Sequence, residues 1–384
     1  MFDFIGLGNG LINVVVVLAI LVVLVLIHEF GHFIVARRAG VTVHEFGVGF
    51  PPRAKVLGTD SQGTEYTLNW LPIGGFVRLE GEEGQSADPH AFINQNLRTR
   101  LVILLAGVTM NILLAFVIFA GIALVADPAQ EVQVTCVQPG GPAALAGLVS
   151  GVQTGTVTGS DGTVFPVCDP SGDAITAIDG RLFMAFSSTA AVDAPLAYLK
   201  SRAGQQVTLT IRDANGSVRD AVVTLRDPAA AAKNGALGIT GAQLGYAYVH
   251  NDPITAVRLG ATRTVDAALL IVRGIGDFIT NLGNPPISGP VGIVNTVGVV
   301  RTELPPVFLI WLIGLLSANL AVVNALPFPP LDGGRVAVAI IQRLAGNRVS
   351  VNAERLAYLT GFVLLMALLA YLTLFDTGVF QRQV

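Results

Sequence analysis

LINVVVVLAILVVLVLIHEFGH, residues 11–32, decides how the rest of the chain reads. From Leu11 to Ile27 the only polar side chain is Asn13, and the apolar run then leads directly into two histidines and a glutamate. A stretch this apolar belongs in hydrocarbon, where a polar cluster is costly to bury and marks function. Composition agrees: of 384 residues, 52% are hydrophobic and only 13% are charged, against roughly a quarter charged in soluble domains.

Three further segments repeat the pattern. Leu101 to Ala126 carries no charge, and Val307 to Leu326 and Leu356 to Phe375 complete the set. Four transmembrane helices are therefore expected, at 9–36, 101–126, 307–331 and 356–375. The chain starts MFDF, without the basic start and small-residue cleavage site of a signal peptide, so the first span is expected to be retained.

Arginines near the span ends set the expected orientation. Arg37 and Arg38 follow the first span, Arg98 and Arg100 precede the second, and Arg335, Arg343, Arg348 and Arg355 lie between the third and fourth. Those two connections are expected in the cytoplasm. Both termini and the segment from about Asp127 to Pro306 then lie outside, although Arg258, Arg263 and Arg273 weaken the count. The two cysteines, Cys136 and Cys168, fall in that segment. An oxidising compartment would join them, and the alternative is a pair of buried thiols.

HEFGH carries the chemistry. On a helix His28 and His32 project from one face, so both imidazoles reach one ion while Glu29 stands beside its water. Catalytic zinc takes three protein ligands and keeps a position for water, whose proton Glu29 would accept. The motif supplies two ligands. Glu45, Glu65, Glu80, Glu82 and Glu83 are nearer in sequence, but they stand in polar stretches where solvated carboxylates are ordinary. Asp332 differs: it lies in NALPFPPLDGGR, where three prolines break the helix and two glycines allow close backbone approach. Broken backbone at membrane depth survives only where protein or a water-filled cavity satisfies it. Arginine-based topology also brings HEFGH and Asp332 to the same side of the membrane.

These residues resemble the site-2 proteases, which cut transmembrane helices of their substrates. HEFGH, NALPFPPLDGG and the GxxxN pattern of Gly107 and Asn111 look like that family's three hallmark motifs, and ISGPVGI (287–293) is similar to a segment of its bacterial members. The resemblance covers nearly the whole chain and is strongest to the bacterial stress-response branch, with four spans and an exported PDZ domain. It implies that His28, His32 and Asp332 bind Zn2+, that Glu29 is the general base, and that Asn324 and Asn111 assist. An amide in an apolar span either donates to a substrate carbonyl or simply joins helices.

TEYTLNWLPIGGFVRLEGE, 64–82, alternates around Pro72, Gly74 and Gly75 and predicts a hairpin over about 64–80. It is either an ordinary amphipathic hairpin or, by resemblance, a membrane-dipping β-loop whose edge holds an unwound substrate. VQVTCVQPGGPAALAGL, GDAITAIDGR, QQVTLTIRDANGS and VRDAVVTLRD predict a strand, a short helix at Pro142, a strand turning at Asp179 and Gly180, and a hairpin at Asn215 and Gly216. Together they look like one PDZ domain over 127–250, with a departure from the family in an insert over about 150–171. That domain binds a freshly exposed C-terminus, excludes substrates with bulky outer domains, or is a spacer. Asp252 to Ile279 predicts an amphipathic helix, on the membrane face or packed on protein.

The fold class expected is an α-helical polytopic membrane protein with four spans, a membrane-associated β-hairpin and an inserted extracytoplasmic PDZ-like α+β domain. Its parts are 1–126, 127–250, a linking region 251–306 and 307–384. The bacterial inner membrane is the expected location, with lipid and transmembrane-helix substrates, already cut by another protease, as partners and no nucleic acid. Anti-sigma factors, remnant signal peptides and pheromone precursors all fit as substrates. A transporter fits poorly without repeat symmetry, and a catalytically inactive membrane scaffold is the alternative, one that has no need of Glu29.

Overall fold

The computed structural model describes residues 4–82, 84, 86–158, 164–186, 194–283, 285, 287–345 and 351–380. In chain order the elements are α1 (Phe4–Arg38), β1 (Val43–Thr59), β2 (Glu65–Leu79), α2 (Leu97–Val125), β3 (Asp127–Val137), α3 (Pro142–Leu145), β4 (Gln153–Thr158) and β5 (Val164–Cys168). There follow β6 (Ala174–Ile178), β7 (Phe183–Met184), α4 (Pro195–Ser201), β8 (Gln206–Arg212), β9 (Val218–Thr224), α5 (Pro228–Asn234) and β10 (Ile239–Val249). The remainder is helical: α6 (Pro253–Thr280), α7 (Pro290–Glu303), α8 (Pro306–Ala325), α9 (Asp332–Leu344) and α10 (Val351–Asp376). The chain forms two compact units, 1–120 with 258–384, and 121–257.

In the first unit, four helices among the described residues are long and apolar enough to cross a membrane: Asn9–Arg38, Leu97–Val125, Pro306–Ala325 and Asn352–Asp376. Local chemistry delimits the second and third of them. Asn96 caps α2, its Oδ1 accepting from the Thr99 amide at 2.9 Å. Pro306 opens α8, where its missing N–H costs nothing. The third helix ends at Ala325, short of the expected 331, because Pro327, Pro329 and Pro330 cannot continue it and a new helix starts at Asp332.

The hairpin differs from the expectation. The stretch 65–79 does not fold on itself alone; its partner is β1, after a turn at Asp60 to Thr64. Glu45, Phe46, Gly47 and Val48 are each paired twice, once with residues of 65–68 and once with residues of 75–78. The first half of β1 thus lies between the two halves of β2, and 75–79 becomes an edge. The sheet is anchored by Val43 and Leu79, buried with Phe33 and Ala36 of α1 and Ile103 and Leu104 of α2. That apolar seam sets the outgoing half of β2 beside the polar end of α1.

The second unit is an α+β domain with strand order β10-β3-β6-β8-β9, all antiparallel, with β7 also on β3. Val132, Val134, Ile175, Ile178, Leu209 and Ile211 form its core. Asp179 and Gly180 both have positive φ (52° and 73°), as a tight two-residue turn requires. The expected insert is a separate ribbon of β4 and β5. Cys136 and Cys168 are disulfide-bonded, with Cα atoms 5.5 Å apart, and pin the foot of β5 to β3.

Candidate metal centre

His28 and His32 lie one turn apart near the end of α1 and are buried. Their Nε2 atoms are 3.2 Å apart. Each ring is held from behind. His32 Nδ1 donates to the Ile103 carbonyl at 2.8 Å, which leaves Nε2 as the atom with a free lone pair. His28 Nδ1 faces the Asn111 amide at 3.4 Å, and the buried Asn111 Oδ1 has no hydrogen-bond partner among the described residues. Oxygen and nitrogen of an amide are assigned from the hydrogen-bond network. Swapping them lets Oδ1 accept from His28 Nδ1–H, satisfies the orphaned oxygen and frees Nε2 here too.

Close approach of α2 makes this possible. A Cβ on Gly31 would fall 2.5 Å from the Ala106 carbonyl, and one on Gly107 would fall 2.4 Å from His32 Nε2 and 2.7 Å from His28 Nε2. The glycines of HEFGH and GxxxN are therefore one contact, in which bare backbone passes the imidazoles.

Asp332 arrives from the far end of the sequence. It opens α9 directly after the proline-rich corner, and Gly333 packs so tightly that a Cβ would lie 2.2 Å from the Ala325 carbonyl. Asp332 Oδ2 is 2.8 Å from His28 Nε2 and 3.2 Å from His32 Nε2. Ligands about 2.0–2.1 Å from a tetrahedral zinc stand about 3.3 Å from one another. Two neutral imidazole nitrogens and a carboxylate at these separations fit that ion. The histidine nitrogens and a Glu29 oxygen all lie within 4.8 Å of one another, and Glu29 Oε2 accepts from the Val77 amide of β2 at 3.2 Å.

The cluster opens on a cavity of about 370 Å³, lined also by Asn324, Gly75, Val77 and Leu79. Asn324 is on the wall, whereas Asn111 is fully buried, reaching His28 instead of the cavity. Among the nearer carboxylates, Glu45 and Glu65 pair with Arg53, Glu80 with His44, and Glu82 with Arg335; Glu83 lies outside the described residues. Three contributors were not singled out by sequence: the Ile103 carbonyl, the Val77 amide and the Glu82–Arg335 pair. Backbone groups leave no trace in residue type, and an arginine beside a span end, as Arg335 is, carries a topology signal that masks any other role.

Residues 16–368 match the model of Peptidase family M50. The chain is 29% identical over 381 residues to a protein named as a candidate zinc metalloprotease in Nostoc sp., covering 95% of this chain and 96% of the relative. A second so named, from Clostridium perfringens, is 30% identical over 357 residues, 92% of this chain and 95% of that one. Protease RseP of Yersinia pestis is 25% identical over 443 aligned positions, with 92% and 95% covered. The chain thus belongs to peptidase family M50 and is a membrane zinc metalloprotease of the site-2 type.

Proposed function

We propose that this chain hydrolyses peptide bonds within transmembrane segments of membrane-protein substrates, after another protease has shortened them. One observation carries the reading: three ligand atoms within 3.2 Å of one another line a cavity that the outgoing edge of β2 also lines. A transmembrane helix satisfies its own backbone, so it must be unwound before a peptide bond can be attacked. A strand edge holds the unwound stretch by backbone pairing, largely independent of side-chain identity.

In this reading His28, His32 and Asp332 hold the zinc. When bound, zinc supplies a Lewis acid that acidifies water and polarises a carbonyl. Glu29 takes a proton from the attacking water and delivers it to the amine as the C–N bond breaks, leaving a carboxylate and a free amino terminus. Asn324 donates its amide N–H to the carbonyl oxygen as charge develops there. Asn111 works at one remove, fixing the ring of His28.

The location follows from charge and redox chemistry. With arginine-rich connections in the cytoplasm, the metal cluster lies near the cytoplasmic side of the bacterial inner membrane, and 127–250 is a PDZ-like domain outside, where a Cys136–Cys168 bond persists.

The test is Glu29→Gln in the full-length protein in detergent, with a single-span substrate and zinc measured in parallel. The variant keeps zinc and loses cleavage. Cleavage equal to that of the unchanged protein would falsify the reading and favour an inactive scaffold.

A further inference from the structure

Val77 and Leu79 stand two residues apart on the outgoing half of β2, so their amides point to the same side. That side faces away from β1, since the intervening register sends the Glu80 amide back to the Thr42 carbonyl at 2.9 Å. Both outward amides are occupied by carboxylates. Val77 donates to Glu29 at 3.2 Å, and Leu79 donates to Glu82 Oε2 at 3.3 Å. The other oxygen of Glu82 takes the guanidinium of Arg335, three residues past Asp332 on α9. Glu29, Glu82, Asp332 and Arg335 line one cavity with Val77 and Leu79.

The two caps are unequal. Among the described residues, Glu29 is bound to the edge through one hydrogen bond, donated by the Val77 amide; the carbonyl of an incoming extended segment can replace it, and that exchange leaves Glu29 free for water. Glu82 is fastened twice, to its own strand and across to α9 by a charge-assisted bond. An incoming segment therefore finds Val77 available and Leu79 closed. Strand pairing repeats every two residues, so where the ladder stops determines which peptide bond lies at the metal cluster.

We propose that Glu82, held by Arg335, is a register stop: it ends at Val77 the ladder that a substrate forms with β2, and so selects the bond that is cut. Arg335 is a positioning residue acting through Glu82. This inference rests on the proteolytic reading above and adds to it a determinant of cleavage position.

Its test has two readouts on the full-length, zinc-loaded protein in detergent. In the first, a single-span substrate is digested and the products are weighed by mass spectrometry. Glu82→Ala and Arg335→Gln each add a second cut displaced by two residues, the strand repeat. Arg335→Lys, which keeps the cation, restores the single cut. A pair that merely fastens the hairpin to α9 would lower total cleavage with the cut in its original place, and that result overturns the proposal. The second readout needs no turnover. Hydrogen exchange at the Leu79 amide quickens about tenfold or more in Glu82→Ala, and an added extended peptide protects that amide in the variant and not in the unchanged protein. Equal exchange at Leu79 in both proteins also sinks the idea. Should the unchanged protein cut nothing, the proteolytic reading falls, while the exchange experiment still decides whether Glu82 closes the edge.

Discussion

Gly107 lies against His32 so closely that a single added methyl would stand 2.4 Å from Nε2, the atom that faces His28 and Asp332. No rotamer of a methyl group exists to relieve this, and the opposing atoms belong to rings held by Ile103 and Asn111. Gly107→Ala should therefore expel or displace the metal while the helices remain. The expected outcome is a loss of zinc affinity of at least about 100-fold, beyond the usual cost of disturbing a supporting group, with unchanged helical circular dichroism. Retention of stoichiometric zinc would refute the packing argument.

Asn111 supports His28 through a single contact at 3.4 Å. Losing a group that orients a metal-binding imidazole costs about 10–100-fold in affinity. Asn111→Leu should show that loss in a chelator competition. Asn111→Asp keeps an acceptor for Nδ1–H and should retain most of the affinity; if both variants behave alike, the residue serves helix packing only.

Metal removal should separate chemistry from architecture. Chelation is expected to abolish cleavage and zinc readdition to restore it. Asp332→Asn keeps the shape of the α9 corner while removing the anionic ligand. It should lower zinc occupancy with little change in thermal unfolding.

The disulfide offers a compartment test. If 127–250 lies outside, as proposed, thiol alkylation in cells should give no mass shift until reductant opens the Cys136–Cys168 bond. Replacing both by serine releases a loop closed across a separation of 32 residues, worth up to about 3–4 kcal/mol in the chain-entropy account. A lowered unfolding midpoint of the variant would record it.

Glu45 makes the hairpin sensitive to acid. Burial alone would raise its pKa, but the Thr67 hydroxyl at 2.7 Å and the guanidiniums of Arg53 and Arg78 at 2.9 and 3.2 Å hold it below the ordinary glutamate value. A depressed carboxylate stabilises the fold above the unfolded value of about 4.3 and loses that contribution as pH falls through the folded one. The melting temperature of the unchanged protein should exceed that of Glu45→Gln near neutrality, and the gap should close below about pH 4. A gap that is constant with pH would argue against an ionised Glu45.

Much of the site was legible because hydrocarbon makes polar residues conspicuous. His28, Glu29 and His32 interrupt an apolar run, and Asp332 follows a helix break, so their cost in a membrane announces them. The true pairing of the hairpin is not legible locally: its partner, 43–59, is diluted by Gly47, Gly49, Pro51 and Pro52, and double pairing of one half-strand is a long-range property with no local signature. The supporting groups were hidden for another reason. The Ile103 carbonyl and the Val77 amide are backbone, and what matters at Gly31 and Gly107 is a missing side chain, whose purpose shows only when a second helix is laid against it.

His28 and Asp332 are separated by 304 positions, with the whole of 121–257 made between them. During synthesis His28, Glu29 and His32 therefore emerge long before Asp332, the carboxylate proposed to complete the coordination. A nascent chain carries HEFGH without the means to fix its ion firmly, and cutting power arises only once the third span and the corner after it have been inserted. Completion of the metal cluster thus waits until 332 of the 384 residues have been made.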